Sequence, residues 1–286
     1  MVTGNKIQTA TDFIDPTQLR NAHPKHRSIQ FDSDGLSFSI LDLERNAYIG
    51  VRDYRFDPTD RPAEILNNYQ ELREQDEWLK QDFHSASCAW NIGVSTLIPD
   101  ALSTAESERK LRDLVQPLLA TDQLEKDEIA AIEAHNVYTI PQDAQTQLKA
   151  SRIVHGSTPF LEGMLRIHQN DPTARVLLNF EERHFYIVVL QDRKLQLFNR
   201  FPFQTAEDYI YYVLFTMEQL SLNPEEVPVT LYGGIEKNSA LYDITYTYVR
   251  HVHWGLRPDG FVYAPILDNL AAHQYFALFQ QYLCVS

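Results

Sequence analysis

The chain has 286 residues, 44% hydrophobic and 22% charged, which fits an ordinary globular protein with two domains or one large one. Its 25 Lys and Arg residues against 39 Asp and Glu give a formal net charge of −14, which argues against nucleic acid or an anionic membrane as primary partner, because both attract positive charge. Two cysteines without a motif, no signal pattern and no long apolar run predict a cytoplasmic protein without a disulfide framework, a zinc site or membrane insertion.

The first half begins with a polar segment, residues 1–28, which has no sustained periodicity and is predicted to be an N-terminal arm. A hairpin is predicted next, with strands at 36–43 and 47–56, and Asp60 is predicted to cap the helix that follows. The rest of this half alternates short elements. These are strands at 87–90, 94–99 and 136–140, helices at 107–119, 142–149 and 159–168, and a charged connection at 121–129.

A cluster of turn residues at 169–172 is the clearest break in the chain, so we place a first domain at 29–170 and a second at 171–286. The second half opens with three predicted strands. Thr205 and Asp208 then form a capping pair at the start of a helix. The remaining predicted elements are a strand at 228–232, a helix at 239–252, a strand at 261–264 and a helix at 270–283. Strands interleaved with helices indicate an α/β class with a mixed sheet in each half.

The two halves contain similar strand–turn–strand segments. Residues 41–44, Leu-Asp-Leu-Glu, match residues 178–181, Leu-Asn-Phe-Glu, and the strands that follow also match. Apolar strands joined by polar turns are common, so chance similarity is the alternative interpretation. We favour an internal duplication.

A strand meander, a helix, a strand and a Gly-Gly pair, preceded by a related first half, resemble the actin-like ATPase superfamily, which includes actin, sugar kinases, FtsA and PilM. More narrowly, the chain is similar to an uncharacterised bacterial family of unknown function, mostly from Bacteroidetes, with an actin-like ATPase fold. The resemblance implies two duplicated ribonuclease H-like domains with mixed sheets around a central cleft that holds ATP and a metal ion. It places the phosphate-binding turns at Asp42 with Glu44 and at Asn179 with Glu181, and an adenosine-binding element at 233–234.

The sequence departs from this pattern at both turns. A phosphate-binding hairpin uses glycine, since the backbone N–H groups must approach phosphate oxygens closely. Here Glu44 and Glu181 stand at those positions, and Asn179 replaces an acid. A carboxylate about 4 Å from a phosphate opposes binding by about 4 kcal/mol at an effective dielectric constant of 20. The nucleotide-binding positions are therefore interpreted as vestigial.

Other candidate residues have two interpretations each. Gly233 and Gly234 can cradle a ligand or form a tight turn, and we favour the turn. Asp42 can be a residual metal ligand, a general base or an ordinary acid at a strand end. No catalytic residue and no metal site can be assigned from spacing alone.

We therefore predict a non-catalytic or degenerate actin-like protein that acts as a cytoplasmic protein-binding or scaffold component. Its partner would be an unidentified protein, with a homodimer as one option, and no cofactor is expected. The alternative is a divergent ATP-binding protein, an ATPase that uses ATP and magnesium. A metabolic kinase would need a catalytic acid that the sequence does not identify.

Overall fold

The computed structural model of the chain describes residues 7–118, 122–142, 144–148, 150 and 152–285. Contacts divide the described residues into two units. Unit 1 lies within Met1–Pro159, Asp259–Asn269 and Leu278–Ser286, and unit 2 comprises Phe160–Pro258 and Leu270–Ala277. The division falls N-terminal to the predicted boundary between residues 170 and 171, and two C-terminal segments return to unit 1.

The first part of the chain forms nine strands and five helices among the described residues. In chain order they are β1 (Gln8–Ile14), α1 (Pro16–Leu19), β2 (Lys25–Asp32), β3 (Gly35–Asp42), β4 (Ala47–Arg55), α2 (Pro62–Gln75), α3 (Glu77–Lys80), β5 (Ser85–Trp90), β6 (Thr96–Pro99), α4 (Ala105–Val115), β7 (Asp122–Ile129), β8 (Ala134–Pro141), α5 (Ala144–Leu148) and β9 (Arg152–His155).

The second part continues with a helix that begins in unit 1 and then forms the sheet of unit 2. The elements are α6 (Ser157–His168), β10 (Arg175–Phe180), β11 (His184–Gln191), β12 (Lys194–Pro202), α7 (Ala206–Gln219), β13 (Val229–Gly233), α8 (Ala240–Tyr248), β14 (Val252–Trp254), β15 (Val262–Tyr263) and α9 (Phe276–Val285). Short 3-10 helices lie at Asp100–Leu102, Ala130–Ile132 and Pro265–Asn269.

The main sheet of unit 1 has the strand order β1-β4-β3-β2-β5-β9, with β15 also paired to β4. Strands β2, β3 and β4 form an antiparallel meander, and β5 and β9 then add in parallel. Both faces of β3 are buried along its whole length, as expected for a central strand. Its core includes large aromatic side chains that are almost completely buried, such as Phe38, Tyr69 and Trp90.

The prediction of an N-terminal arm at residues 1–28 is corrected, because part of this segment belongs to the main sheet. Residues 1–6 lie outside the described part of the chain, Gln8–Ile14 pair with β4, and residues 25–28 begin the central strand β2. Strand β2 carries polar side chains that are buried and hydrogen-bonded. The ring of His26, for example, contacts the hydroxyls of Ser85 (2.8 Å) and Ser87 (2.9 Å). Burial lowers the pKa of His26 to about 4, so the ring is neutral at pH 7.

A second sheet of unit 1, ordered β6-β8-β7, contains a strand that charge patterning hid. Residues 122–129 were predicted to be a charged connection and instead form β7, so that prediction is wrong. Asp127 of this strand is 3% exposed. It accepts hydrogen bonds from the His155 N–H (2.7 Å), the Thr158 hydroxyl (2.6 Å) and the Tyr138 hydroxyl (3.2 Å). Burial raises the pKa of Asp127 to about 6 despite these hydrogen bonds, because they only partly compensate for lost hydration.

Unit 2 has the strand order β12-β11-β10-β13-β14, with an antiparallel meander followed by two parallel strands. The predicted capping pair is confirmed. Thr205 accepts a hydrogen bond from the Asp208 N–H, and Asp208 accepts one from the Thr205 N–H, both at 3.1 Å. Ser239 likewise caps α8.

Several predicted element ends are wrong. Helix α4 runs from Ala105 to Val115 rather than over residues 107–119. Helix α2 has Arg61 rather than Asp60 at its N-cap, without a side-chain cap. Helix α8 ends at Tyr248, and residue 252 begins a strand. The last helix starts at Phe276, not at residue 270.

The two units share one sheet topology. The order β4-β3-β2-β5-β9 of unit 1 has the same directions as the order β12-β11-β10-β13-β14 of unit 2. A three-stranded meander followed by two parallel strands therefore occurs twice, as the predicted duplication requires.

Candidate nucleotide-binding elements

The shared strand order decides which turns of the two units correspond. In unit 2, residues 181–183 join the first and second strands of the meander. The corresponding turn of unit 1 joins β2 to β3 and contains Ser33 and Asp34. Asp42 and Glu44 belong to the next turn, between β3 and β4. The sequence match of residues 41–44 with 178–181 therefore aligns the halves one strand out of step.

Asp42 stabilises its own turn. Its side chain is fully buried, and Oδ1 accepts hydrogen bonds from the backbone N–H groups of Glu44 (3.1 Å) and Arg45 (3.0 Å). Oδ2 lies 2.9 Å from Nδ1 of His23. Burial alone would raise the pKa of Asp42, but the hydrogen bonds from Arg45 and His23 outweigh it, and the pKa lies below its usual value.

Glu44 lies at the surface of the same turn. Its carboxylate is well exposed, and one oxygen is 3.6 Å from Nε2 of His23. The N–H of the preceding residue, Leu43, donates to the carbonyl of Pro24 (3.0 Å). The N–H groups of residues 43, 44 and 45 are thus all donated to acceptors within unit 1.

The turn between β2 and β3 of unit 1, which corresponds to residues 181–183 of unit 2, is short and rich in carboxylates. Asp32 accepts a hydrogen bond from the Asn91 side chain (2.6 Å), and Asp34 pairs with Arg55 (2.6 Å). A β-carbon on Gly35 would lie 2.4 Å from the carbonyl oxygen of Tyr54, so this glycine is needed for strand packing. This Asp-Ser-Asp-Gly turn is not among the predicted phosphate-binding turns, although an Asp followed by Gly between two strands is a recognisable signal.

The turn at residues 181–183 of unit 2 contains an ion pair. The carboxylate of Glu181 accepts hydrogen bonds from Nη2 (2.7 Å) and Nε (3.2 Å) of Arg200 on β12. The guanidinium carbon of Arg200 lies 5.5 Å from the ring centre of Tyr186. The Glu181 N–H donates to the His184 carbonyl (2.8 Å). This geometry ties Glu181 to its own sheet.

Gly233 and Gly234 lie beside this turn, because β10 and β13 are parallel neighbours and Phe180 is in register with Gly233. Asn179 is in register with Tyr232 on the same pair of strands. The Gly234 N–H donates to the Phe180 carbonyl (2.9 Å). Unit 2 thus brings together all four of its predicted site residues at one sheet edge.

The Gly233 position admits no other residue without strain. Its φ is +83°, and a β-carbon would lie 2.3 Å from the Phe180 carbonyl oxygen. Its N–H donates to the carbonyl of His273 (3.0 Å), whose ring in turn contacts the Ile235 carbonyl (2.8 Å). Burial lowers the pKa of His273, so its ring is neutral at pH 7. This geometry is that of a tight, internally bonded turn.

Within the part of the chain that the structure describes, no group of three or more His, Cys, Asp and Glu side chains could hold a metal ion. None of the described helices is both long and apolar enough to cross a membrane. The cysteines Cys88 and Cys284 are buried, and neither forms a disulfide within the part of the chain that the structure describes.

Comparisons with known proteins agree with this fold. The model of a family described as "Protein of unknown function (DUF3822)" matches residues 15–252. No curated protein matches the chain in sequence.

Two solved structures are similar over nearly their whole length. One is a protein from Bacteroides thetaiotaomicron with an actin-like ATPase fold and unknown function, at 18% identity and a TM-score of 0.73, covering 96% of this chain and 99% of that one. Another is a PilM–PilN type IV pilus biogenesis complex, at 12% identity and a TM-score of 0.55, covering 91% of this chain and 98% of the matched chain. At these identities the comparison shows the fold, and the predicted actin-like ATPase fold is confirmed.

Proposed function

The chain belongs to the family described as "Protein of unknown function (DUF3822)", and from this membership and the geometry of its turns we propose a non-catalytic actin-fold protein that binds another protein in the cytoplasm. The observation that carries the proposal is the use of backbone donors. At the turn after β3 and at both elements considered in unit 2, N–H groups that a phosphate would need are donated to acceptors of the protein itself.

Phosphate sites in proteins are built from N–H groups that point at the ligand. Here the N–H groups of Glu44 and Arg45 bond Asp42, that of Glu181 bonds the His184 carbonyl, and that of Gly234 bonds the Phe180 carbonyl. A nucleotide would have to replace these bonds rather than complete an open site. Each bond contributes only about 1 kcal/mol net, but leaving its acceptor unsatisfied costs about 1–3 kcal/mol.

Charge is the weaker of the two arguments. The sequence predicts repulsion of phosphate by Glu181, but Arg200 lies 2.7 Å from that carboxylate and neutralises much of its field. In unit 1 the turn that corresponds to it carries Asp32 and Asp34 instead, and Arg55 pairs with Asp34. We therefore rest the proposal on the donors and not on the acidic side chains.

A protein-binding role is supported by exposed aromatic side chains in unit 2. Tyr211 and Phe215 on α7 stack at 5.9 Å, and Tyr211 is 61% exposed. On α8, Tyr246 is 67% exposed. Exposed aromatic clusters of this kind are enriched at protein interfaces, where tyrosine supplies large contact area at small entropic cost.

One of the similar solved structures offers a related precedent, since it is a PilM–PilN complex. For the present chain we propose the same general kind of activity, namely binding of a protein by an actin-like fold. The identity of the partner is not part of the proposal.

A thermal melt with and without ATP and magnesium tests the loss of nucleotide binding. A ligand at about 100 times its dissociation constant stabilises a protein by about 2.7 kcal/mol, which raises the melting temperature of a chain this long by roughly 5–10 °C. We expect no rise. A rise of several degrees would refute the proposal in favour of the ATP-binding alternative.

The variant Glu181→Gly distinguishes exclusion of nucleotide by negative charge from exclusion by occupied backbone N–H donors. If charge excludes nucleotide, this variant should show a rise in melting temperature with ATP and magnesium. If the donors exclude it, as we propose, the variant should show none, because the N–H of residue 181 still faces the His184 carbonyl.

Co-purification tests the protein-binding role. The double variant Tyr211→Ala with Phe215→Ala should lose bound protein, whereas Leu114→Ala, an 82% exposed position on α4 in unit 1, should retain it. Binding should also weaken with salt, because a net charge of −14 steers a basic partner and is screened over about 8 Å at physiological ionic strength. Equal retention by all variants would count against the aromatic surface.

A further inference from the structure

A cavity of about 320 Å³ lies in unit 1, at the end of the sheet where β5 begins. Its walls come from β2, α2 and the segment between α3 and β5. The lining residues that matter for its chemistry are Arg27, Tyr69, Arg73, Asp82, Phe83 and Ser85. We call it the arginine cavity, because two guanidinium groups line it.

Arg27 is held rigidly and only partly satisfied. The residue is 6% exposed, and its Nη1 donates to the carbonyls of Trp78 (3.0 Å), Leu79 (3.0 Å) and Gln81 (3.2 Å). Its guanidinium carbon lies 5.0 Å from the centre of the Phe83 ring. Its Nε is buried, and no described residue accepts a hydrogen bond from it.

Arg73 repeats this arrangement from α2. Its guanidinium lies 5.8 Å from the centre of the Tyr69 ring, and its buried Nε also finds no acceptor among the described residues. Burial lowers the pKa of Arg27, and the positive charge of Arg73 lowers it further, which shows that the two cations lie close enough to repel each other.

The arginine cavity has no counter-ion in contact. None of the ion pairs found among the described residues includes Arg27 or Arg73. Asp82 also lines the cavity and favours the charged form of Arg27, but it makes no ion pair with either arginine. Buried charges in proteins are normally paired, since an unpaired one loses its hydration without compensation. Arg27 is such a buried charge, and Arg73, which is only partly buried, adds a second cation to the same cavity in a protein of net charge −14.

We propose that the arginine cavity binds the carboxylate or phosphate group of a small organic anion. A guanidinium stacked on an aromatic ring keeps its N–H edge free, and that edge matches the oxygens of a carboxylate or phosphate. The volume lies at the lower end of the range for small-molecule sites, about 300–1,000 Å³, so the ligand is a small molecule. This site is separate from the elements considered for nucleotide binding.

A structural role accounts for Arg27 more fully than for Arg73, which stands in the last turn of α2 and stacks on Tyr69. Arg27 ties three carbonyls at the end of α3, whereas Arg73 has no hydrogen-bond acceptor for Nε and no ion pair within the described chain. Substitution of Arg27 risks unfolding this region. Arg73 is therefore the position at which the proposal is tested.

Titration calorimetry of the full chain with sodium phosphate and with sodium succinate, at ionic strength held constant by sodium chloride, is the experiment. We expect saturable binding of one or both anions, and the stronger of the two identifies the preferred oxyanion. Arg73→Gln should weaken binding about tenfold or more, the usual effect of removing one charge-assisted hydrogen-bonding group. Asp82→Asn should strengthen it, because a competing carboxylate is removed.

Arg61→Gln is the matched control. Arg61 stands at the start of the same helix, is highly exposed and pairs with Glu64, so its loss should leave anion binding unchanged. The proposal is overturned if neither anion binds saturably, if Arg73→Gln binds as tightly as the unmodified protein, or if Arg61→Gln loses as much affinity as Arg73→Gln.

Discussion

Asp127→Asn should remove a pH dependence of stability that a single buried carboxyl creates. Asp127 has a pKa of about 6 in the folded protein, against a reference value of 3.8. The folded state therefore holds this proton more tightly than the unfolded state does. The stability contributed by the protonated carboxyl is fully present below pH 3.8 and is lost as the pH rises through 6.

The size of the effect follows from the two pKa values. Their difference, at 1.36 kcal/mol for each pH unit, amounts to about 3 kcal/mol. The asparagine can keep the hydrogen bonds from the His155 N–H and the Thr158 hydroxyl on its Oδ1, and its amide can face the Tyr138 oxygen. The variant should therefore fold and lack only the titration.

Other groups titrate in the same range with the opposite sign. The pKa values of Asp42 and Glu108 lie below their usual range and that of His26 is lowered to about 4, so each of these groups reduces stability as the pH falls. These groups are common to the protein and the variant. The informative quantity is therefore the difference between the two unfolding free energies at each pH.

Urea unfolding of the protein and of Asp127→Asn across about pH 4–7 provides that difference. The unfolding free energy of the protein relative to that of the variant should fall by about 2.4 kcal/mol as the pH rises from about 4 to about 7, which is most of the total of about 3 kcal/mol. Asp60→Asn, at an exposed aspartate, is the control and should give a difference that stays constant. A constant or rising difference for Asp127→Asn would refute the argument that burial dominates at this carboxyl.

Two further substitutions, both measured by urea unfolding, test a glycine turn and a helix cap of unit 2. Gly233→Ala should lower the free energy of unfolding by about 1–3 kcal/mol more than Gly260→Ala does. Both glycines have positive φ, but only at Gly233 would a β-carbon collide, because it would lie 2.3 Å from the Phe180 carbonyl oxygen. Equal losses for the two variants would show that the contact between the strands can relax. Thr205→Ala should destabilise unit 2 by about 1 kcal/mol through loss of the cap of α7. The loss should be larger than for Ser239→Ala, because only the Thr205 cap is reciprocal. An unchanged stability would contradict the capping geometry.

The meander of unit 2, the caps of α7 and α8 and the glycine turn after β13 can all be predicted from the sequence alone. Strands β10 and β11 alternate with short polar turns, and Thr205 and Ser239 stand directly before apolar helices. These signals are local, since a cap bonds to N–H groups two or three residues away. They led from the residues to the actin-like ATPase fold, which the comparisons confirm.

Which strands are central and which turns correspond depends on contacts between residues far apart in the chain. Strand β2 has a polar sequence, and the residues that make its burial possible, such as Ser85 for His26, lie far away in the chain. Charged strand β7 is fixed by backbone pairing with β8 and by the contacts of Asp127. Without β2 the two halves were aligned one strand out of step, so Asp42 was matched to a turn that corresponds to Asp34. Long-range hydrogen bonds make buried polar residues acceptable, and their pattern cannot be found from neighbouring residues alone.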